Sequence, residues 1–247
     1  MKAIFSSLAA LLLFCSPLTF AAIPLPVTME SPIDSVFIPT GFDDNDNVEI
    51  VLKGTFPNSC YRIAESSHEV DHENRTIKIK AEALHYESYN GCLEVLTNFL
   101  QPVKVGLLKH GRYDVYLENA DNLSTEVSIA EAKTEAPDDF LYANVENAFV
   151  DVVWETGKQR LEISGHHPYY LHGCQVITEV RTYFDPKEVL VVLPITKIVE
   201  GEACDKQPED RSFTKTIPLK APFLSDGIVH VRTLNGQSIN RFVTYFP

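Results

Sequence analysis

Apolar and polar residues alternate along most of the chain with a period of two. Val48, Ile50 and Leu52 alternate with Glu49 and Lys53, and the same alternation recurs in residues 77–80, 150–155, 161–163 and 242–246. Successive side chains of a β-strand point to opposite faces, so this period predicts strands with one buried face. Residues 189–193 are continuously apolar, which is typical of a fully buried strand.

Turn-forming residues separate these predicted strands. They are Asn74 and the pairs Pro57-Asn58, Asn90-Gly91, Asp185-Pro186 and Asn235-Gly236. The only candidate for a long helix is residues 124–136, which begin with β-branched residues and equally fit a last strand that runs into a linker. Several short strands per 100 residues, separated by such turns, predict β-sandwich architecture.

The order of key residues is the same in the two halves of the chain. In each half an alternating segment ends in Gly, and Pro and Cys follow: Gly54, Pro57 and Cys60 in the first half, Gly165, Pro168 and Cys174 in the second. A second cysteine comes 32 residues later at Cys92 and 30 residues later at Cys204. Each half then has a Gly eight residues before an Asn, in Gly111 to Asn119 and Gly227 to Asn235. This order predicts an internal repeat.

The repeat selects one of the three pairings that four cysteines allow. If each half is a separate domain, the disulfides are Cys60–Cys92 and Cys174–Cys204. Closing a loop of about 30 residues stabilises a fold by roughly 3–4 kcal/mol in the chain-entropy model. The structural role is preferred because the chain has no CxxC pair of the redox type.

These patterns predict an all-β protein made of two tandem immunoglobulin-like antiparallel β-sandwich domains, with one intradomain disulfide each. Residues 131–139 are acidic and contain Pro137, as expected for an exposed linker. The predicted domains are therefore residues 22–134 and residues 142–247, the second being a repeat of the first. The immunoglobulin likeness is architectural, because the single tryptophan, Trp154, precedes Cys174 instead of packing between paired cysteines.

The N-terminal residues have the pattern of a secretory signal peptide. Lys2 precedes an apolar stretch over residues 3–15, Pro17 ends any helix there, and Thr19 and Ala21 are the small residues expected before a cleavage site. The apolar stretch is shorter than the roughly 18 residues needed to span a membrane. We therefore expect residues 1–21, including Cys15, to be removed on export to the periplasm or the extracellular space.

Composition narrows the possible partners. With 45% apolar and 22% charged residues, the chain is not disordered throughout. Its 21 basic and 34 acidic residues give a formal charge of −13, and loss of Lys2 with the signal peptide makes it −14 (20 − 34). This charge argues against binding of nucleic acids or anionic membrane surfaces, which needs clustered Lys and Arg.

Residues 68–72 read HEVDH and match the HExxH motif of zinc proteases. In those enzymes the motif lies on a helix, which places both histidines on one face. Here the segment lies between two predicted strands, Asp71 stands where a helix would need an apolar residue, and no third ligand follows at a family spacing. We therefore expect His68 and His72 to lie in a solvated loop, and a zinc site there is the alternative.

The loop between Gly165 and Cys174 is the main candidate for partner binding. It contains His166, His167, Tyr169, Tyr170 and His172. Tyrosine and histidine have a flat apolar face and a polar edge, which suit a sugar ring or a protein hot spot. Binding of Zn or Cu is the alternative for the three histidines, and a polar loop tip without function is the simplest interpretation.

Residues 42–47, with the sequence FDDNDN, resemble part of a calcium loop. The glycine and the closing glutamate of the EF-hand spacing are missing, so a turn rich in Asp and Asn is the preferred interpretation. Asn74 and Asn122 begin glycosylation sequons.

Together these observations predict an exported, non-catalytic binding or structural module of the cell envelope or extracellular space. No cofactor, no bound metal, no nucleic-acid partner and no membrane span are expected. The expected partner is a protein or a glycan. The first alternative is a zinc-dependent hydrolase centred on the HEVDH segment. The second is a secreted protease inhibitor that presents a disulfide-tethered loop such as residues 55–59.

Overall fold

A computed structural model describes residues 25–87, 91–118, 120, 122–135, 138–153, 157–168, 174–185, 189–201, 204 and 209–244. The predicted signal peptide and Trp154 lie outside these residues. The elements with described bounds are β-strands and a 3₁₀ turn at Leu234–Gly236. The all-β prediction is therefore confirmed.

The N-terminal half contains three sheets. Their orders are β2-β4-β9, β3-β11-β10-β7-β6 and β1-β8-β5. The strands are β1 (Val27–Glu30), β2 (Ile33–Phe37), β3 (Phe42–Asp43), β4 (Val48–Phe56), β5 (Tyr61–Ile63), β6 (Ser67–Asp71), β7 (Thr76–Lys80), β8 (Glu82–His85), β9 (Thr97–Gly106), β10 (Gly111–Leu117) and β11 (Thr125–Ala130). The first two sheets enclose a core that includes Ile50, Leu52, Ile77, Tyr113 and Val127.

The C-terminal half is a sandwich of two sheets, ordered β12-β13-β16 and β14-β15-β17-β18. The strands are β12 (Val145–Val153), β13 (Lys158–His166), β14 (Cys174–Asp185), β15 (Val189–Val199), β16 (Ser212–Pro218), β17 (Gly227–Thr233) and β18 (Gln237–Val243). Their separate core includes Leu161, Ile163, Val192, Phe223 and Val231.

The two halves have corresponding strand orders. The three-stranded sheet β2-β4-β9 corresponds to β12-β13-β16, and β6-β7-β10-β11 corresponds to β14-β15-β17-β18. Most ladders are antiparallel, but β7 pairs with β10 in parallel and β15 pairs with β17 in parallel, at the same place in each sheet. The pair β11–β3 is also parallel and has no counterpart among the described strands of the second half.

A local irregularity recurs at equivalent positions. Ile33 pairs with Gly54, and the register then shifts past Asp34; Val145 pairs with Gly165, and the register shifts past Glu146. In both places a β-bulge in the first strand faces a glycine near the end of the second. A Cβ at either glycine would collide with a backbone carbonyl oxygen, that of Pro32 or that of Asn144.

Both predicted disulfides are present. Cys60 is bonded to Cys92 and Cys174 to Cys204, with Cα–Cα distances of 5.5 and 5.2 Å. In the first half the bridge joins the segment after β4 to the segment before β9, and in the second half it joins the first residue of β14 to the segment before β16. The pairing inferred from the repeated cysteine order is therefore confirmed.

The halves contact each other through outer sheet faces. Phe37 and Val51 pack against Val189, Val191 and Ile228 to form a third buried cluster. Residues 189–192 are consequently buried on both sides, since Leu190 and Val192 face the core of their own half. This explains the continuous apolar run and confirms the prediction of a fully buried strand.

The expectation that β4 has one solvated face is wrong for part of the strand. Glu49 is only 4% exposed, because its outward side faces the other half. The Glu49 carboxylate accepts hydrogen bonds from Ser238 Oγ (2.7 Å) and Asn240 Nδ2 (2.6 Å) of β18. Alternation of apolar and polar residues shows that one face of a strand is buried, but it does not show what covers the other face.

Candidate functional site

The predicted histidine loop is described only in part. Tyr169, Tyr170 and His172 lie outside the described residues. His166 is exposed at the end of β13, and its Nδ1 lies 2.9 Å from Oε2 of Glu146, the bulge residue of β12. Asp34, the corresponding bulge residue of the first half, accepts a hydrogen bond from Thr55 Oγ1 (2.7 Å). The equivalent contacts indicate that His166 helps to hold a bulge.

His167 points inward. It is 5% exposed, and its ring stacks on Phe213 with a centroid distance of 4.6 Å. Burial lowers the pKa of His167, so its neutral form is favoured in the fold. In this position the ring packs within the second half and is not presented to a partner. The binding role of the loop as a whole stays a prediction.

The HEVDH segment forms an edge strand, which corrects the expectation of a loop. His68 lies in β6, which pairs with β7 in a hairpin, and His72 begins the connecting turn. Both histidines are exposed as expected, and His72 Nδ1 lies 3.3 Å from the hydroxyl of Tyr113. In an extended chain four residues span about 13 Å, too far for two ligands of one metal ion. No group of three or more potential metal ligands occurs among the residues described.

The FDDNDN segment is a turn at the junction of the halves. The Asp46 carboxylate accepts from the backbone N–H of Asp43 (3.0 Å), and the Asp43 carboxylate accepts from the N–H of Asn45 (3.3 Å). Arg232 of β17 donates to Asp46 (2.8 Å) and to the carbonyl oxygen of Gly41 (2.6 Å). The preferred interpretation as a turn rich in Asp and Asn is thus confirmed, and its buried carboxylate pairs with an arginine.

Two titratable groups of this junction, Asp138 and His230, have strongly shifted pKa values. Burial and the neighbouring Asp46 carboxylate raise the pKa of Asp138 to about 6, although the positive charge of Arg232 acts to lower it. Burial lowers the pKa of His230 to about 4, although Asn240 and Glu49 favour its charged form. Perturbed groups mark functional sites and structural ion-pair networks alike. Here the cavity that they line has about 20 Å³, and we assign them a structural role.

Two shallow grooves flank residues 138–142 beside this junction. The larger, of about 630 Å³, includes Leu141 and Asn235, and the smaller, of about 390 Å³, includes Arg181 and Tyr183. The guanidinium of Arg181 lies 4.8 Å from the ring centre of Phe140, so it covers one aromatic face, whereas Tyr183 is 50% exposed. Together the grooves have a mixed apolar and polar lining, in which Tyr183 is an exposed aromatic ring.

The most unusual surface lies at the disulfide end of the first half. Eight of the fourteen exposed large apolar side chains found in the described residues belong to the β1-β8-β5 sheet, to the residues that flank its strands or to the segment after Cys92. We call these eight residues the apical patch: Leu25, Val27, Met29, Ile63, Tyr86, Leu93, Val95 and Leu96. Soluble proteins rarely expose so many apolar side chains in one place unless the place is an interaction site.

The β1-β8-β5 sheet positions one side of the apical patch. Met29 is opposite Ala83, which is opposite Ile63, so the three side chains share a face. Ala83 is buried against Phe56 and Phe99, whereas Met29 and Ile63 at the sheet edges are 40% and 41% exposed. The sheet therefore extends its apolar face beyond the aromatic cluster beneath it.

The disulfide loop positions the other side. The Cys60–Cys92 bridge and two hydrogen bonds between Ser59 and Leu93 hold this loop against the end of β4. Leu93, Val95 and Leu96 are nevertheless 73%, 55% and 77% exposed. The loop is thus braced through its backbone while its apolar side chains stay in solvent.

Sequence reasoning missed the apical patch. Its signal was the apolar sequence Leu93-Glu94-Val95-Leu96 directly after a disulfide cysteine, in a segment without a predicted strand. The patch also needs β1 beside β8, a pairing that joins residues about 55 positions apart and cannot be read from local alternation.

Comparison with known proteins gives a fold-level match for this half. Residues 50–129 match the model of a family described as the ORF11 beta-sandwich domain, and the stretch from β4 to β11 is similar to that family. The description names a fold and no activity. No curated protein and no solved structure matches the chain. In the part of the chain with described structure, no helix is long and apolar enough to cross a membrane.

Proposed function

We propose that the protein is exported and acts as a non-catalytic binding module of the cell envelope or extracellular space. Residues 1–21 would be the signal peptide, and residues 22–134 and 142–247 would be two domains of one repeat. The two disulfides support an oxidising compartment. The separate cores and the corresponding strand orders support the domain division and the repeat.

The apical patch is the observation that carries the binding role. Its apolar side chains stand on a scaffold braced by a sheet and a disulfide, so a partner would bury them without first ordering the loop. Aliphatic side chains also suit a protein partner better than a glycan, because sugars stack on aromatic rings and hydrogen-bond to polar groups.

The two alternatives have less support. The zinc hydrolase needs His68 and His72 on one face of a helix, but His68 lies in strand β6 and His72 begins the turn after it. The protease inhibitor needs residues 55–59 as a protruding loop, but Thr55 and Phe56 belong to β4 and Phe56 is 3% exposed. Neither arrangement supplies the geometry that the corresponding function requires.

The test is site-specific photocrosslinking in the exporting cell. A photoreactive residue at position 96 should produce a crosslinked adduct, and one at position 224 should not. Leu224 is a matched control, since it is 73% exposed in the second half. Mass spectrometry of the mature protein should find its N-terminus at Ala22. Adducts at both positions alike, or at neither, would contradict binding through the apical patch.

A further inference from the structure

We infer that the apical patch binds a protein segment whose apolar side chains are flanked by lysine or arginine. This inference rests on the proposed function and names the chemistry of its partner. It follows from the charges that surround the patch, considered with its exposed apolar surface.

The rim of the apical patch is strongly acidic. The segments that build it, residues 25–30, 59–66, 82–87 and 91–98, contain one basic residue, Arg62, and five acidic residues, a local charge of −4 (1 − 5) with histidine neutral. The acidic residues are Glu30, Glu65, Glu82, Glu87 and Glu94. Glu30 lies opposite Glu82 in the β1–β8 ladder, on the sheet face away from Met29 and Ala83, so the acidic residues left to flank the apolar face are Glu65, Glu87 and Glu94. An apolar centre with a charged rim is the usual organisation of a protein–protein interface, and rim charges select partners of opposite sign.

The positive charges near the patch offset this rim only in part. The Arg62 guanidinium donates to the carbonyl oxygens of Ser59 (2.9 Å) and Tyr61 (2.6 Å), so it is held against the backbone. Lys80, just outside these segments, pairs with Glu82 at 2.7 Å. Glu87 and Glu94, which neighbour Tyr86, Leu93 and Val95 in sequence, are therefore well placed to meet cationic groups of a partner.

Charge also disfavours a second copy of the chain as the occupant. A symmetric dimer through this patch would place the same acidic rim on both sides of the interface, in a protein whose net charge is already −13. Facing like charges cost several kcal/mol in a specific interface. A basic segment would gain favourable electrostatic interactions instead.

The experiment uses the mature protein and synthetic peptides. Each peptide has a short alternating core of valine, leucine and threonine, flanked on both sides by lysine, glutamine or glutamate, and binding is followed by fluorescence anisotropy. The lysine-flanked peptide should bind roughly tenfold or more tighter than the glutamine-flanked one at low salt, with the preference shrinking at high salt. A lysine-flanked peptide whose apolar core is replaced by serine should not bind.

Three variants link binding to the patch. Leu93→Ser/Leu96→Ser should weaken binding of the lysine-flanked peptide by roughly tenfold or more, whereas Leu224→Ser should not change it. Glu87→Lys/Glu94→Lys should bind the glutamate-flanked peptide better than the lysine-flanked one. All of these side chains are exposed, so thermal unfolding of the variants should match that of the wild type.

The outcomes separate the inference from the proposed function. Equal binding of lysine- and glutamate-flanked peptides, lost in the double leucine variant, would overturn the inference about charge and leave the binding module intact. Failure of every peptide to bind would also overturn it, and the crosslinking at position 96 would then decide the proposed function separately. A dimer seen by sedimentation and abolished by Leu93→Ser/Leu96→Ser would identify a second copy as the occupant and overturn the basic partner.

Discussion

Gly54 and Gly165 occupy equivalent positions in the two halves, and at both positions the structure depends on the absence of a side chain. Each faces a bulge in the neighbouring first strand, where the backbone approaches the glycine more closely than a Cβ would permit. The residue after each glycine, Thr55 or His166, contacts the acidic residue that forms the bulge. The repeated glycine in the sequence therefore corresponds to a repeated close approach of two backbones.

Replacing either glycine with alanine should destabilise the protein by about 3 kcal/mol, because the new methyl group would push a backbone carbonyl away. Gly106→Ala is the control: Gly106 has a φ of 88° but nothing near its Cβ position, so only the left-handed conformation is penalised, at about 1 kcal/mol. Urea unfolding measures all three variants. Equal losses at Gly54 and Gly106 would contradict the steric explanation.

At the scale of elements, context decides what a motif becomes. The HEVDH segment has helical zinc-binding spacing, yet it pairs with β7, whose alternating residues Ile77 and Ile79 are fully buried in the core. The ladder with β7 holds β6 in the extended conformation, and Val70 of β6 packs against the core. Pairing with the neighbouring strand therefore decides the conformation of the segment, and the helical spacing of the motif does not.

The variant His68→Ala/His72→Ala should therefore fold and bind like the wild type. His68 is exposed, and loss of the His72 contact with Tyr113 should cost at most about 1 kcal/mol of unfolding free energy. Thermal unfolding and metal analysis of the purified protein provide the readouts. Stoichiometric zinc that disappears in the double variant would restore the hydrolase as the leading hypothesis.

At the scale of the whole molecule, the junction combines apolar packing with buried ionisable groups. Phe37, Val51 and Ile228 supply part of the apolar contact, and the Asp46–Arg232 pair lies beside it with both side chains under 10% exposed. Residues 131–139, predicted as an exposed linker, also have contacts: Asp138 accepts from the N–H of Gly236 at 3.2 Å. The two halves thus pack as neighbours instead of being joined only by a tether.

Two residues of the junction should make contributions to stability that change with pH in opposite directions. In the folded protein His230 has a pKa of about 4, below its ordinary value of 6.5. Its contribution to stability is therefore complete above pH 6.5 and is lost as the pH falls towards 4, by about 3 kcal/mol in total. Asp138 has a folded pKa of about 6, above 3.8, so the fold gains stability as the pH falls through this range.

Denaturant unfolding across pH 4–7 tests this. As the pH is lowered, the free energy of unfolding should fall less steeply in His230→Gln than in the wild type, and more steeply in Asp138→Asn. His68→Gln, at an exposed position, is the control and should leave the slope unchanged. The groups that face His230 are Glu49, Asn240 and Arg232, and those that face Asp138 are Asp46 and Arg232. An unchanged slope in His230→Gln would contradict its burial in the neutral form.

The sequence alone determined the all-β class and the disulfide pairing, because both depend on signals carried along the chain. Alternation of Ile77 and Ile79 with lysines reports one buried face, and the repeated order of Gly, Pro and Cys reports which cysteine belongs to which half. Only the tertiary structure decided that Glu49 and His230 are buried, that His167 points inward and that Met29 lies on the same face as Ile63. Those facts depend on which sheet covers another and on pairings between distant residues, and local periodicity carries no information about either.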